Sequence, residues 1–187
     1  MSPTGTLPNT HTTSDALAQA FRACAGEFPT GVAVVTAEHG GVPTGMTLNA
    51  FASVSLDPLL VLISLGHGSR TLWATTESGR FGVSVLRRDQ AQIALDFSER
   101  GAPFRAEHVD REPDGYSTVR GAVAVLRCAV WQILPAGDHD VVFGNVESIA
   151  HPGGEPLVFY RGRFGGMQTD ALVPAGHPIA IDEGAGW

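Results

Sequence analysis

GMTLNAFASVSLDP, residues 45–58, is the stretch whose reading decides the fold. Thr47, Asn49, Ser53 and Ser55 fall two or four residues apart, so an extended chain places them on one face. Met46, Leu48, Ala50, Ala52, Val54 and Leu56 then share the other face, and their apolar side chains suit a core. A strand with small hydroxyl and amide groups on one side has two uses. It can be an ordinary half-solvated strand, or a platform for a flat polar ligand.

Outward from this stretch the chain keeps reading as strands. Upstream, GVAVVTAE (31–38) and the Gly-rich turn HGGVP (39–43) make a hairpin with it. Downstream, LLVLIS (59–64) is a continuous apolar run, the pattern of a central strand, and FGVSVL (81–86) alternates. Three further strands are predicted at 121–134, 140–149 and 157–164, the first two joined by the turn PAGD (135–138). The helices are few. Ser14 is expected to cap a helix through Phe28, with Leu17, Phe21, Cys24, Ala25 and Phe28 on one stripe. Ser69 caps a short helix ending at Gly79, and Asp89 and Gln92 have capping-box spacing for another with Ile93 and Phe97 on one face. Residues 101–118 read as a polar connection. Six or seven strands with closely spaced turns predict a mainly β protein, an antiparallel barrel with a few peripheral α-helices. The expected organisation is one domain over 14–168, a tail at 1–13 and a second tail at 169–187.

Composition narrows the chemistry. The 187 residues carry a formal charge of −7, which argues against nucleic acid or an anionic membrane as partner. All 12 basic residues are Arg; with no Lys, a lysine Schiff base and a Walker A loop are both excluded. GxSxG and GxGxxG are absent, so acyl transfer through a nucleophile elbow and a Rossmann dinucleotide site have no support. The seven His lie at 11, 39, 67, 108, 139, 151 and 177, with no metal-site spacing, and no metal is expected. Cys24 and Cys128 read as buried free thiols. No signal peptide or membrane-length apolar run is visible, which points to a cytoplasmic protein.

Three segments could carry chemistry. Ser69-Arg70-Thr71 follows a Gly-rich loop at a predicted helix start, where free N–H groups, hydroxyls and a guanidinium suit a phosphate; simple capping is the alternative. Gly137-Asp138-His139 places a His at a strand mouth, for hydrogen-bond or proton duty or as a plain surface residue. Tyr160-Arg161-Gly162-Arg163 groups an aromatic ring with two cations at a strand end, able to stack on a ring and bind an anion, or simply to face solvent.

Six segments in order carry a resemblance: FPTGVAVVTA (28–37), GMTLNAFASVSLDP (45–58), LVLISL followed by SRT (60–71), SGRFGVSVL with Gln90 (78–90), GDHDVVFGNVE (137–147) and PLVFYRGRF (156–164). Over roughly residues 17–166 the chain resembles the short-chain flavin reductases of two-component monooxygenase systems. The resemblance implies an FMN-binding split β-barrel, a Greek-key antiparallel barrel, usually as a homodimer. It implies reduction of FMN or FAD with NADH or NADPH as hydride donor, and release of reduced flavin to a partner oxygenase or halogenase. Carried over, Thr44, Gly45, Met46, Thr47, Asn49 and Ala50 would line the isoalloxazine and ribityl chain. Ser64, Leu65 and Gly66 would continue that wall, and Ser69, Arg70 and Thr71 would hold the flavin phosphate. Asp96 and Phe97 would approach from the helix after residue 89. His139 and Phe159-Tyr160-Arg161 would face the nicotinamide, His139 as a positioning hydrogen-bond donor. Two departures stand out: Ser84, where the family often has Asn and a structural role is expected, and Asp96, where a basic residue is frequent. The competing readings are a split-barrel flavoprotein that keeps its flavin and acts directly on an organic substrate, and a flavin-binding protein without turnover.

Overall fold

Leu48 and Phe51 are three residues apart, yet they belong to strands at opposite edges of one sheet. The computed structural model describes residues 10–99, 101–112 and 115–167, with side chains from 15 onward. α1 (Thr10–Ala25) leads into β1 (Thr30–Gly31), β2 (Ala33–His39), β3 (Val42–Leu48), β4 (Phe51–Leu56) and β5 (Leu59–Gly66). After α2 (Arg70–Ser78) come β6 (Arg80–Val85), α3 (Ala91–Asp96) and the short hairpin of β7 (Val109–Arg111) and β8 (Ser117–Val119). The long pair β9 (Ala124–Ala136) and β10 (His139–Ala150) precedes β11 (Val158–Tyr160) and β12 (Arg163–Gly165).

Seven strands form one antiparallel sheet in the order β3-β2-β6-β9-β10-β5-β4. Laid flat, six interstrand gaps would hold β3 and β4 about 29 Å apart. Three residues of chain reach at most about 11 Å. The sheet therefore curls until its edges nearly meet, which makes it a split barrel with the Asn49-Ala50 link across the gap. A second sheet, β1-β11-β12, and the β7-β8 hairpin lie outside it.

Two buried clusters hold this shape. Inside the barrel Val35, Ile63, Leu65, Phe81, Val83, Cys128 and Val142 interdigitate. The apolar run of β5 supplies Ile63 and Leu65, each fully buried and each contributing about 1.5–3 kcal/mol. Burial also pushes the Cys128 thiol up to about 12, so it stays protonated. The other cluster joins Val34, Leu86, Phe97, Val109, Val119 and Leu157 beneath α3.

Several sequence expectations are corrected here. The stretch at 45–58 is not one strand. It breaks at Asn49-Ala50, and the β4–β5 register shifts between Ser53 and Ser55. Beyond the break, edge position and bulge leave Ala52, Val54 and Leu56 exposed, so the expected apolar face reaches the core only as far as Leu48. α1 begins at Thr10, which puts Ser14 inside the helix and residues 10–13 outside any tail; residues 1–9 and 168–187 lie outside the described residues. Its stripe stands away from the sheet: Leu17, Phe21 and Phe28 are 71, 70 and 75% exposed, and Cys24 is exposed as well. The capping box at α3 does not form. Asp89 pairs with Arg87, while the Gln90 amide accepts from the Arg87 N–H and donates to the Arg120 carbonyl. The 101–118 connection contains β7 and the start of β8, and the last predicted strand is two short ones around a turn at 161–162. Ser84 is structural as expected: fully buried, its hydroxyl accepts from the Val119 N–H at 2.9 Å.

Candidate functional site

The open ends of β5 and β10 are built side by side. Antiparallel register sets His139 opposite Gly66, Asp140 opposite Leu65 and Val141 opposite Ser64. The imidazole lies over Gly66, where a Cβ would stand 3.5 Å from Nε2. The Ser64 N–H donates to the Ala50 carbonyl at 3.2 Å, which brings the β3–β4 link alongside. Asn49, Ala50, Ser64, Gly66 and His139 thus form one wall. Asn49 and Ala50 are exposed, Ser64 and Gly66 half-buried, and Leu65 between them points into the core.

The loop after β5 is tied to the turn before β10. The His67 N–H donates to the Asp138 carbonyl at 2.9 Å, and His67 Nε2 donates to Asp140 Oδ1 at 3.0 Å. The loop then enters α2. Ser69 sits in extended backbone as the N-cap, and its Oγ accepts from the Leu72 N–H at 3.0 Å. Gly79 closes the helix in the left-handed conformation at φ 69°. The cap leaves the Arg70 and Thr71 N–H groups without intrahelical partners. Thr71 is buried, while the Arg70 side chain is exposed and donates to the Ala102 carbonyl.

Other carried-over residues hold the seam. Thr44 is buried and its hydroxyl donates to the Ala37 carbonyl at 3.2 Å. Thr47 donates from Oγ1 to the Ala94 carbonyl at 2.7 Å and from its N–H to the Phe97 carbonyl at 3.1 Å. Met46 packs against the barrel core. Gly45 is required by packing, because a Cβ there would fall 2.8 Å from the Phe97 ring. Phe97 is only 6% exposed and stacks edge-on with Phe104. The structure therefore makes Phe97 a core residue that backs β3, with little ring surface left for a ligand. Asp96 accepts from Gln92 and from His108 Nε2, both at 2.9 Å, and these bonds, the Gln92 one first, hold its carboxyl below the ordinary range.

The last hairpin forms a separate group. Phe159 packs with Phe164 against the α3 cluster. Arg161 sits at φ 48° in a turn with Gly162 at φ 76°, a conformation that disfavours a side chain such as Arg. It is held there by its N–H bond to the Gly26 carbonyl and by Glu27: Nε reaches both carboxylate oxygens at 2.9 and 3.0 Å, and Nη2 reaches Oε2 at 2.7 Å. The Tyr160 hydroxyl also donates to Glu27, and the guanidinium lies 5.2 Å from the Tyr160 ring centre. These residues edge an open cleft of about 800 Å³. Among the described residues no hydrogen bond, ion pair or ring contact joins this hairpin to His139.

The polar groups define what the wall can hold. His139 Nδ1 lies 2.8 Å from Asp138 Oδ1. A carboxylate only accepts, so Nδ1 carries the proton, and the neutral ring presents Nε2 as an acceptor. The expected donor role of His139 thus requires the imidazolium form. Asp138 in turn is held below the ordinary carboxyl range, chiefly by its hydrogen bond with His139. A flat heterocycle with a phosphate tail fits this set: the Asn49 amide and Ser64 hydroxyl have no partner among the described residues, and the α2 N-terminus faces an anion favourably. Metal chemistry finds no set of ligands, since no group of three or more His, Cys, Asp or Glu among the described residues could hold an ion. Sequence reasoning missed Glu27 and the His67–Asp140 pair, because their partners lie 134 and 73 residues away.

Comparison with known proteins agrees with this geometry. Residues 25–168 match the family model described as a flavin reductase like domain. The reductase subunit HsaB of a flavin-dependent monooxygenase from Mycobacterium tuberculosis is 37% identical over 160 residues, covering 83% of this chain and 85% of HsaB. The NADH:FAD oxidoreductase SgcE6 from Streptomyces globisporus, solved with NAD and FAD fragments, superposes with a TM-score of 0.77 at 34% identity, over 89% of this chain and 99% of SgcE6. BorF, the flavin reductase component of a bacterial two-component tryptophan halogenase, gives 0.75 at 34% identity, over 80% of this chain and 98% of BorF. The seven-stranded split barrel, the polar wall at its open end and these matches over most of the chain place it in one group: it belongs to the flavin reductase-like family.

Proposed function

We propose that this chain is an NAD(P)H:flavin oxidoreductase that reduces FMN or FAD and supplies diffusible reduced flavin to a partner monooxygenase or halogenase. The observation that carries this reading is the wall of Asn49, Ala50, Ser64, Gly66 and His139, with the α2 N-terminus at its end. Hydride transfer between nicotinamide and flavin is chemistry that the two ring systems bring with them. The chain's task is to stack them, orient them and keep water out. Asn49 and Ser64 offer hydrogen bonds to the polar edge of the isoalloxazine. The Ser69 hydroxyl, the Arg70 guanidinium and the Arg70 and Thr71 N–H groups suit the flavin phosphate. His139, fixed by Asp138, accepts a carboxamide N–H through Nε2 and so positions the nicotinamide. Tyr160 and Arg161 flank the more distant part of the dinucleotide. In this reading residues 14–168 are the catalytic domain, the protein is a homodimer, and it works in the cytoplasm. No described helix is long and apolar enough to cross a membrane.

The test is NADH consumption by the purified protein, with and without added FMN or FAD, each repeated with NADPH. Turnover that rises with free flavin is the expected result. A yellow protein whose turnover ignores added flavin would instead be a bound-flavin enzyme acting on its own substrate. Absence of turnover with any flavin would leave only a binding role.

A further inference from the structure

We propose that Glu27 selects between the two nicotinamide dinucleotides, by engaging the Arg161 guanidinium so that the cleft beside it accepts an unphosphorylated ribose and rejects a 2′-phosphate. This inference rests on the reading above, in which the last hairpin meets the dinucleotide.

The cleft has the dimensions and chemistry for half a dinucleotide. Its volume of about 800 Å³ is within the range of nucleotide-sized sites, and Tyr160 and Phe164 are among its lining side chains. Two cations and one carboxylate face it: Arg161, Arg163 and Glu27. Arg161 is already taken, bound to Glu27 through three hydrogen bonds. Arg163 has no hydrogen-bond or ion-pair partner among the described residues. A diphosphate can therefore use Arg163. A 2′-phosphate would bring a further charge of about −1.5 to −2 and meet a carboxylate beside a cation that is already paired. Arg161 holds the Glu27 carboxyl below its ordinary range, so the acid is ionised at neutral pH. The conformation of Arg161 adds a second observation. A turn residue at φ 48° is more cheaply Asn or Gly, so the bonds to Gly26 and Glu27 hold Arg161 in a conformation that its side chain disfavours.

The experiment compares wild type with Glu27→Gln, Arg161→Gln and Arg163→Gln. It measures kcat/KM for NADH and NADPH at saturating FMN, calorimetric binding of ADP and of adenosine 2′,5′-bisphosphate to the protein, and the thermal midpoint. Wild type is expected to favour NADH. Glu27→Gln should raise the NADPH-to-NADH ratio of kcat/KM about tenfold and tighten the bisphosphate by a similar factor, with ADP nearly unchanged. An unchanged ratio in Glu27→Gln with weakened binding of both dinucleotides in Arg163→Gln would overturn the selectivity role and leave the site reading standing. A lowered thermal midpoint with an unchanged ratio would make Glu27 a structural clamp. Normal kinetics with both dinucleotides in Arg161→Gln and Arg163→Gln would remove the cleft from dinucleotide binding, and the inference with it.

Discussion

At the wall of Asn49, Ala50, Ser64, Gly66 and His139, the paired register of β5 and β10 fixes Ser64, Gly66 and His139, the Ser64 N–H holds the Asn49-Ala50 link beside them, and the Asn49 and Ser64 side chains have no partner among the described residues. At the cleft beside Glu27, strands of two or three residues fix little, and Glu27 and Arg161 are already paired. The difference teaches which kind of selectivity each region can carry. A wall set by sheet register holds ring positions without side-chain reorganisation, as hydride transfer needs. An exposed ion pair contributes little to stability, so it can change partner at low cost and tune which charges a ligand brings.

The largest effect should come from crowding the wall. Gly66→Val places methyl groups beneath the His139 ring, and kcat/KM for flavin should fall about a hundredfold with the thermal midpoint nearly unchanged. Full activity in that variant would move the reacting rings elsewhere and end the contrast. Next is His139→Ala. It should raise KM for NADH about tenfold and leave kcat close to wild type, because the ring positions nicotinamide rather than moving a proton. A collapse of kcat with KM intact would make it a catalytic group.

Smaller effects sharpen the supports. Ser69→Ala removes the α2 cap, which costs about 1 kcal/mol. The thermal midpoint should drop by about 2–4 °C, and KM for flavin should rise while KM for NADH holds. Equal changes in both constants would argue for loosening of the whole wall. The smallest effect tests the helix that backs β3. Asp96 is held below its ordinary range in the folded state, first by Gln92 and then by His108. Its contribution is therefore present above the unfolded pKa and disappears as pH falls through the folded one. Melting from about pH 5 down to pH 2 should show a steeper acid loss in wild type than in Asp96→Asn. Parallel profiles would remove Asp96 from that support.

Local patterns in the sequence were legible where local physics decides. The apolar run at 59–64, the alternation at 81–86, the Ser69 cap and the Gly79 stop all stand where they read. The 45–58 stretch was half legible. Its first turn of alternation reaches Leu48, but an edge strand with a bulge no longer obeys a strict two-residue rule. The stripe on α1 is clear in the sequence and still exposed, since an amphipathic pattern says that a face seeks a partner and not that this chain supplies it.

The sequence by itself determined a mainly β fold and the Arg-only choice of cations, which follow from spacing and composition, while its six ordered motifs, by resemblance, pointed to the split-barrel family and to the residues of the wall. Only the tertiary structure decided that Phe97 packs against Gly45, that His139 lies over Gly66 with its Nδ1 on Asp138, and that Glu27 holds Arg161. Each of these is a contact set by how the sheet curls and closes, and no local pattern encodes a distance between residues so far apart in the chain.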